Sequence, residues 1–181
     1  AKVVVDPRYA FAKNSGTPRR VDSKLWLFDC LSCDKCIAVC PNDANFAITT
    51  PEVEAFQLSD LVVGGDGRLT REPAGTFALR ENVQIANFAD ACNECGNCDI
   101  FCPEWGGPYK LKPRFFSSAV SYQAAHHQDG FVVTPGRMVG RIDGVEHTLT
   151  VDEEGTRFGD GTISVTIGSD GTFGAVEVAA G

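Results

Sequence analysis

The chain has 181 residues, eight cysteines and a formal net charge of −8, a length that holds one ordinary domain with appendages or two small ones. Apolar runs such as Val3–Val5 and Phe131–Val133 fall far short of the roughly 20 residues a spanning helix needs, so no membrane span is expected. The charge is uneven: between Ile142 and Gly181 eight acids face one base, Arg157, and residues 1–141 are close to neutral. No basic stripe with interleaved aromatics is present, which argues against a nucleic-acid partner. A near-neutral cysteine-bearing part favours a subunit docked in a complex over a freely diffusing acidic carrier. The N-terminus shows no charged stub followed by a long apolar stretch, so the expected compartment is cytoplasmic. A start at Ala1 without methionine suggests processing or a chain taken from a larger context.

Taken in order, residues 1–24 read as an N-terminal extension. Leu25-Trp26-Leu27-Phe28 reads as a short strand running into the first cysteine loop. That loop carries Cys30, Cys33, Cys36 and Cys40, followed by Pro41. Between Cys33 and Cys40 there is room only for a short helix. Asn45 to Thr49 then reads as a strand leading away. Val53 to Val63 is strand-like, Gly64 to Gly67 is a turn signal, and Arg68 to Leu79 is the returning partner, so 51–81 reads as a hairpin insert. Asn82 to Ala89 reads as a helix capped by Asn82.

The second loop carries Cys92, Cys95, Cys98 and Cys102, followed by Pro103. Pro103 to Ser118 holds Gly106, Gly107, Pro108 and Pro113 and is expected to be irregular. Its Lys110, Lys112 and Arg114 among Tyr109, Phe115 and Phe116 read either as a docking patch or as a loop wrapping the core, with the wrapping loop preferred. From Phe131 onward, Asp143-Gly144, Glu154-Gly155, Asp160-Gly161 and Asp170-Gly171 punctuate strand-like runs, as in a meander of hairpins. Residues 131–181 therefore form a β-rich C-terminal extension. Hairpin turns explain these Asp-Gly pairs better than calcium sites, because neither EF-hand nor nonapeptide spacing is present. His126, His127 and His147 lie far from every cysteine in sequence and read as surface residues.

Both cysteine sets spell C-x-x-C-x-x-C-x-x-x-C-P, an internal repeat. Three ligands spaced by two residues curl one short loop around a corner of an iron–sulfur cube, with backbone amides facing its sulfides. The fourth cysteine lies a helical turn further on, awkwardly placed for the same cube, and in the bacterial two-cluster pattern it serves the other one. Two 4Fe–4S clusters are therefore expected. Cys30, Cys33, Cys36 and Cys102 would hold the first, and Cys92, Cys95, Cys98 and Cys40 the second. The trailing prolines would stop each short helix at its ligand. Gly96 and Asp34 hold matching places in the two loops, a difference that could separate the two potentials. A disulfide framework is disfavoured by the close triplets and the missing secretion signal. Zinc sites pair two C-x-x-C units without the third cysteine and the C-P, and a redox dithiol needs only one pair.

The motifs resemble those of bacterial-type two-cluster ferredoxins. Leu27-Phe28-Asp29-Cys30, Cys40-Pro41-Asn42-Asp43-Ala44-Asn45-Phe46, Ala91-Cys92-Asn93-Glu94-Cys95-Gly96-Asn97-Cys98 and Phe101-Cys102-Pro103-Glu104 go further. With Gly107-Pro108-Tyr109 and Lys112-Pro113, they are similar to the C-terminal ferredoxin segment of glutamate-synthase-small-subunit-like flavoproteins described as selenate reductase subunits. The resemblance runs over about residues 5–132 and implies that a separate flavin-containing subunit supplies the flavin and nucleotide domains, which this chain lacks.

The expected fold class is α+β: a ferredoxin-like pseudo-twofold dicluster core at 25–50 and 82–118, the hairpin insert, and the β-rich extension. The expected function is one-electron relay between a flavoprotein partner and another redox centre, within a hetero-complex. The chain is not expected to be catalytic alone, since eight cysteines complete two cubes and leave no open iron. The rival readings are an assembly module stapled by clusters and a free ferredoxin with many partners. No G-x-G-x-x-G, Walker loop or nucleophile elbow is present.

Overall fold

A computed structural model describes residues 5–7, 10–16, 20–50, 55–63, 69–153, 155–168 and 173–178. These residues fold mostly as β-structure. The strands are β1 (Asn45–Thr49), β2 (Phe56–Val63), β3 (Leu69–Phe77), β4 (Val83–Phe88), β5 (Arg114–Phe116), β6 (Gly130–Thr134), β7 (Arg137–Ile142), β8 (Val145–Asp152), β9 (Gly155–Gly159), β10 (Ile163–Ile167) and β11 (Phe173–Val178). Short helices interrupt them: α1 (Phe11–Asn14), α2 (Lys35–Ala38), α3 (Asn97–Phe101), α4 (Pro108–Leu111) and α5 (Ala119–Ala124).

Nine strands form one sheet in the order β1-β4-β5-β6-β7-β8-β9-β10-β11, while β2 and β3 pair antiparallel by themselves. This overturns the expected α+β class with its ferredoxin-like dicluster core. The described helices span only four to six residues each, too short to build a helical layer against the sheet. One continuous sheet instead runs from the cysteine-bearing region into the C-terminal strands.

The largest local correction is at residues 82–89, expected as a helix. Val83–Phe88 is a strand, paired antiparallel to β1 from Asn45↔Asn87 to Thr49↔Val83 and parallel to β5 through Asn87↔Arg114 and Phe88↔Phe115. The segment is short for a helix, its β-branched Val83 and Ile85 suit a pleated surface, and partners flank it on both edges. Leu25 to Phe28 is not a strand: an isolated bridge joins Lys24 to Trp105, and the Leu25 N–H donates to the Trp105 carbonyl. The stretch expected to be irregular after Pro103 carries α4 and β5. The turn signals at 64–67 and Asp170-Gly171, and Glu154, lie outside the described residues.

From β6 to β11 successive strands pair antiparallel as hairpins. Asp143 and Gly144 turn β7 into β8 with φ of 52° and 76°, the paired positive values of a hairpin turn that matches strand twist. The pairings β4–β5 and β5–β6 are parallel and so need crossovers. The first crossover contains the whole second cysteine motif, and the first motif immediately precedes β1. Both cysteine loops are thereby anchored at the β1/β4 end of the sheet.

Among the described residues, two clusters gather several of the buried apolar side chains. One gathers Cys36, Ile85 and Cys98 with Cys30, Ile37, Val39 and Tyr109 around them. The other packs Phe116, Tyr122 and Val132 under α5. No helix of the described residues is long and apolar enough to cross a membrane.

Candidate metal centres

Each cysteine loop bends through left-handed residues. In the first, Asp29, Ser32 and Asp34 have φ of 64°, 45° and 56°; in the second, Glu94 and Gly96 have 55° and 79°. Asp34 caps α2 and Gly96 caps α3 in the same conformation, which glycine adopts freely and aspartate tolerates better than most residues. The matching places read from the repeat are thus the same backbone device. After α3, Cys102 is extended (φ −65°, ψ 130°), as expected for a residue before proline.

The structure gathers the thiols across the motifs rather than within them. Cys30, Cys33 and Cys36 line one cavity together with Cys102, which encloses about 330 Å³ of empty space including its mouth. Cys92, Cys95 and Cys98 line the other with Cys40, enclosing about 260 Å³. Cys102 feels Cys33 and Cys30, and Cys98 feels Cys92 and Cys40, while Cys36 feels Cys98 of the other cavity as well as Cys30, Cys33 and Cys102. Asn45 Nδ2 donates to the Cys36 carbonyl at 3.0 Å, and Asn97 Nδ2 donates to the Val39 carbonyl at 3.5 Å, tying the loops to each other and to β1.

None of the eight thiols is in a disulfide; Cys36, Cys98 and Cys102 are buried, while Cys33 and Cys95 are exposed. Burial, reinforced by the charges of Cys30, Cys33, Cys98 and Cys102, pushes the Cys36 thiol up to about 12. Burial likewise raises Cys98 and Cys102. Four converging thiolates in a half-buried cavity repel one another, and a multivalent iron centre removes that repulsion. Backbone donors are already aimed at sulfur: Ser32 N–H at Cys30 Sγ (3.4 Å) and Ala44 N–H at Cys40 Sγ (3.2 Å).

Among the described residues no group of three or more His, Cys, Asp or Glu side chains is arranged to hold a single metal ion. Four cysteine thiols around each cavity are compatible with an iron–sulfur group, whose usual protein ligand is the cysteine thiolate. The residues present fit an iron–sulfur cluster in ligand type, in number per cavity and in backbone donors.

Several side chains that shape the site were not singled out for it by sequence. Glu104 and Lys112 line the first cavity and are buried. Arg20 donates to the carbonyls of Asp99 (3.0 Å) and Glu104 (2.8 Å) and stacks 4.3 Å from the Trp105 ring, pinning the N-terminal segment to the second loop. Of the basic residues after Cys102, Lys112 and Arg114 turn inward, and the Arg114 side chain, 10% exposed, meets Glu94 at 3.0 Å. His126 and His127 are exposed. His147 departs from the surface reading: its ring stacks on Phe158 with centroids 5.6 Å apart, and its Nδ1 is buried without a partner.

The eight thiols thus line two cavities, an arrangement compatible with iron–sulfur binding. A stretch of 123 residues is 32% identical to the protein named "Putative oxidoreductase YgfK" in Escherichia coli O157:H7 and 31% identical to its namesake in strain K12. That stretch is 68% of this chain and 9% of each relative, so the similarity concerns a small part of much longer proteins. No protein-family model matches the chain, and no solved structure matches it.

Proposed function

We propose that this chain is an iron–sulfur electron-transfer subunit that relays single electrons through two 4Fe–4S clusters. The observation that carries the reading is the sorting of eight thiols into two cavities, each taking three cysteines from one motif and the fourth from the other. Cys30, Cys33, Cys36 and Cys102 hold one cluster; Cys92, Cys95, Cys98 and Cys40 hold the other. Bound there, a 4Fe–4S cluster supplies reversible one-electron chemistry.

The chain's own residues then do the rest. Ile85 and Tyr109 pack in the apolar cluster beside Cys36 and Cys98 and keep water from the ground between the two cavities. The Ser32 and Ala44 amides stabilise negative charge on Cys30 and Cys40 sulfur. Exposed Cys33 and Cys95 put each site within reach of the surface, where a partner exchanges electrons. That partner is a flavin-containing oxidoreductase subunit in a hetero-complex, because a two-electron donor needs a flavin to split its pair for one-electron carriers. The oxidoreductase name of the longer relatives supports a redox setting.

The reading is tested by anaerobic reduction of the isolated chain. Dithionite bleaches its visible absorbance reversibly, and NADPH or NADH does so only once a copurifying flavoprotein is added. Clusters that cannot be reduced reversibly would leave them as structural staples and overturn the relay.

A further inference from the structure

Two ionisable side chains are buried in the wall of the first cavity. Lys112 is 2% exposed and Glu104 7%, and both line the space bounded by Cys30, Cys33, Cys36 and Cys102. Charged side chains are rarely buried so deeply without compensation. Glu104 finds it in the protein: Ser23 Oγ donates to Oε1 at 3.0 Å, and the Leu31 N–H donates to Oε2 at 3.2 Å. Lys112 finds much less. Its ammonium has three donors, and the acceptor offered among the described residues is the Asp29 carbonyl, 2.9 Å from Nζ. Two sources of negative charge face this buried cation: the Glu104 carboxylate lining the same cavity, and charge inside the cavity itself.

The second cavity is built differently. Its charged lining residue is Glu94, whose side chain is 46% exposed and meets Arg114 at 3.0 Å. It has no buried ammonium among its lining residues. Asp34, the remaining charged residue lining the first cavity, is exposed.

We infer that Lys112 and Glu104 are potential-setting residues of the first centre, acting on it with opposite sign. The inference rests on the proposed ligation of a cluster by Cys30, Cys33, Cys36 and Cys102. Reduction adds one negative charge to the cavity. The Lys112 ammonium stabilises that charge and raises the potential; the Glu104 carboxylate destabilises it and lowers the potential. Both act through a buried wall, where screening by water is weak. Charge near a cluster is one of the levers by which a protein tunes it.

The test is a potentiometric titration of the full cluster-loaded chain followed by electron paramagnetic resonance. A Cys33→Ser variant alters the spectrum of the first centre and marks which midpoint belongs to it. Lys112→Gln is expected to lower that midpoint by about tenfold in the reduction equilibrium, 59 mV for one electron. Glu104→Gln is expected to raise the same midpoint by a comparable factor, Lys112→Arg to leave it near wild type, and the second midpoint to stay put in all three. A structural role would not give shifts of opposite sign confined to one centre. Two intact centres with unmoved midpoints, or with shifts of the same sign in both variants, would overturn the inference and leave the proposed function standing. A chain with no reducible centre would overturn both.

Discussion

Asn87 Nδ2 donates to Asn45 Oδ1 at 2.9 Å, and the two side chains are 0% and 3% exposed. Asn45 passes the link on by donating to the Cys36 carbonyl at 3.0 Å. The β1–β4 pair thereby fixes the helix that carries Cys36, a proposed ligand of the first centre. Replacing Asn45 with alanine strands the Asn87 amide and the Cys36 carbonyl in the interior, at a cost of about 1–3 kcal/mol for a buried unsatisfied group. Thermal unfolding of the cluster-loaded chain should start lower in Asn45→Ala, with bleaching of the first centre accompanying it. An unchanged midpoint would show that the relay of amides contributes nothing.

The crossed grouping of thiols predicts a crossed pattern of damage. Cys102→Ala removes a thiol from the cavity of Cys30, Cys33 and Cys36, and Cys40→Ala removes one from the cavity of Cys92, Cys95 and Cys98. Each variant is expected to lose or convert one centre, and the two variants different ones, as read by the surviving resonance spectrum. A fragment ending at Thr50 that retained an intact four-iron cluster would contradict the grouping.

Iron removal should loosen the two parts of the sheet unequally. The cysteine loops depend on four converging thiols for their order, and metal binding is coupled to chain order at such sites. The β6–β11 strands are held by an unbroken series of antiparallel ladders. Chelation followed by brief proteolysis is expected to cut first between Lys24 and Arg114 and to spare the C-terminal strands. Equal protection of the loops with and without iron would oppose this.

Alkaline pH should destabilise the cluster-free chain. The folded Cys36 thiol is pushed up to about 12 from 9.0, so between these values the unfolded chain loses its proton and the folded chain keeps it. Stability is then fully present below 9.0 and declines as pH rises toward about 12. Denaturant midpoints of the iron-free chain should fall across that window, with Cys36→Ala showing a shallower decline. A flat profile would show that Cys36 is not buried as a thiol.

The two cysteine motifs were legible in sequence because their pattern is local: the spacing of each triplet and its trailing C-P lie within one short stretch, and the second stretch repeats the first. The hairpin turn at Asp143-Gly144 was legible for the same reason. The strand at Val83–Phe88 was not, since Asn82 offers a plausible cap and the decisive partners, β1 and β5, lie elsewhere in the chain. That error of class followed from the same blindness, because the single nine-stranded sheet is made by joining β4 to β6 through the parallel strand β5. Lys112 read as part of a docking patch or of a loop wrapping the core, and its place in a cavity wall beside Asp29, 83 positions away, depends on chain far from it in sequence.

Counting metal and sulfide in the anaerobically prepared chain tests the binding of two clusters most directly. Two cubane clusters require about eight iron and about eight acid-labile sulfide per chain, with the broad visible absorbance of iron–sulfur charge transfer. About one tightly held zinc per motif, with no sulfide and no visible absorbance, would contradict it.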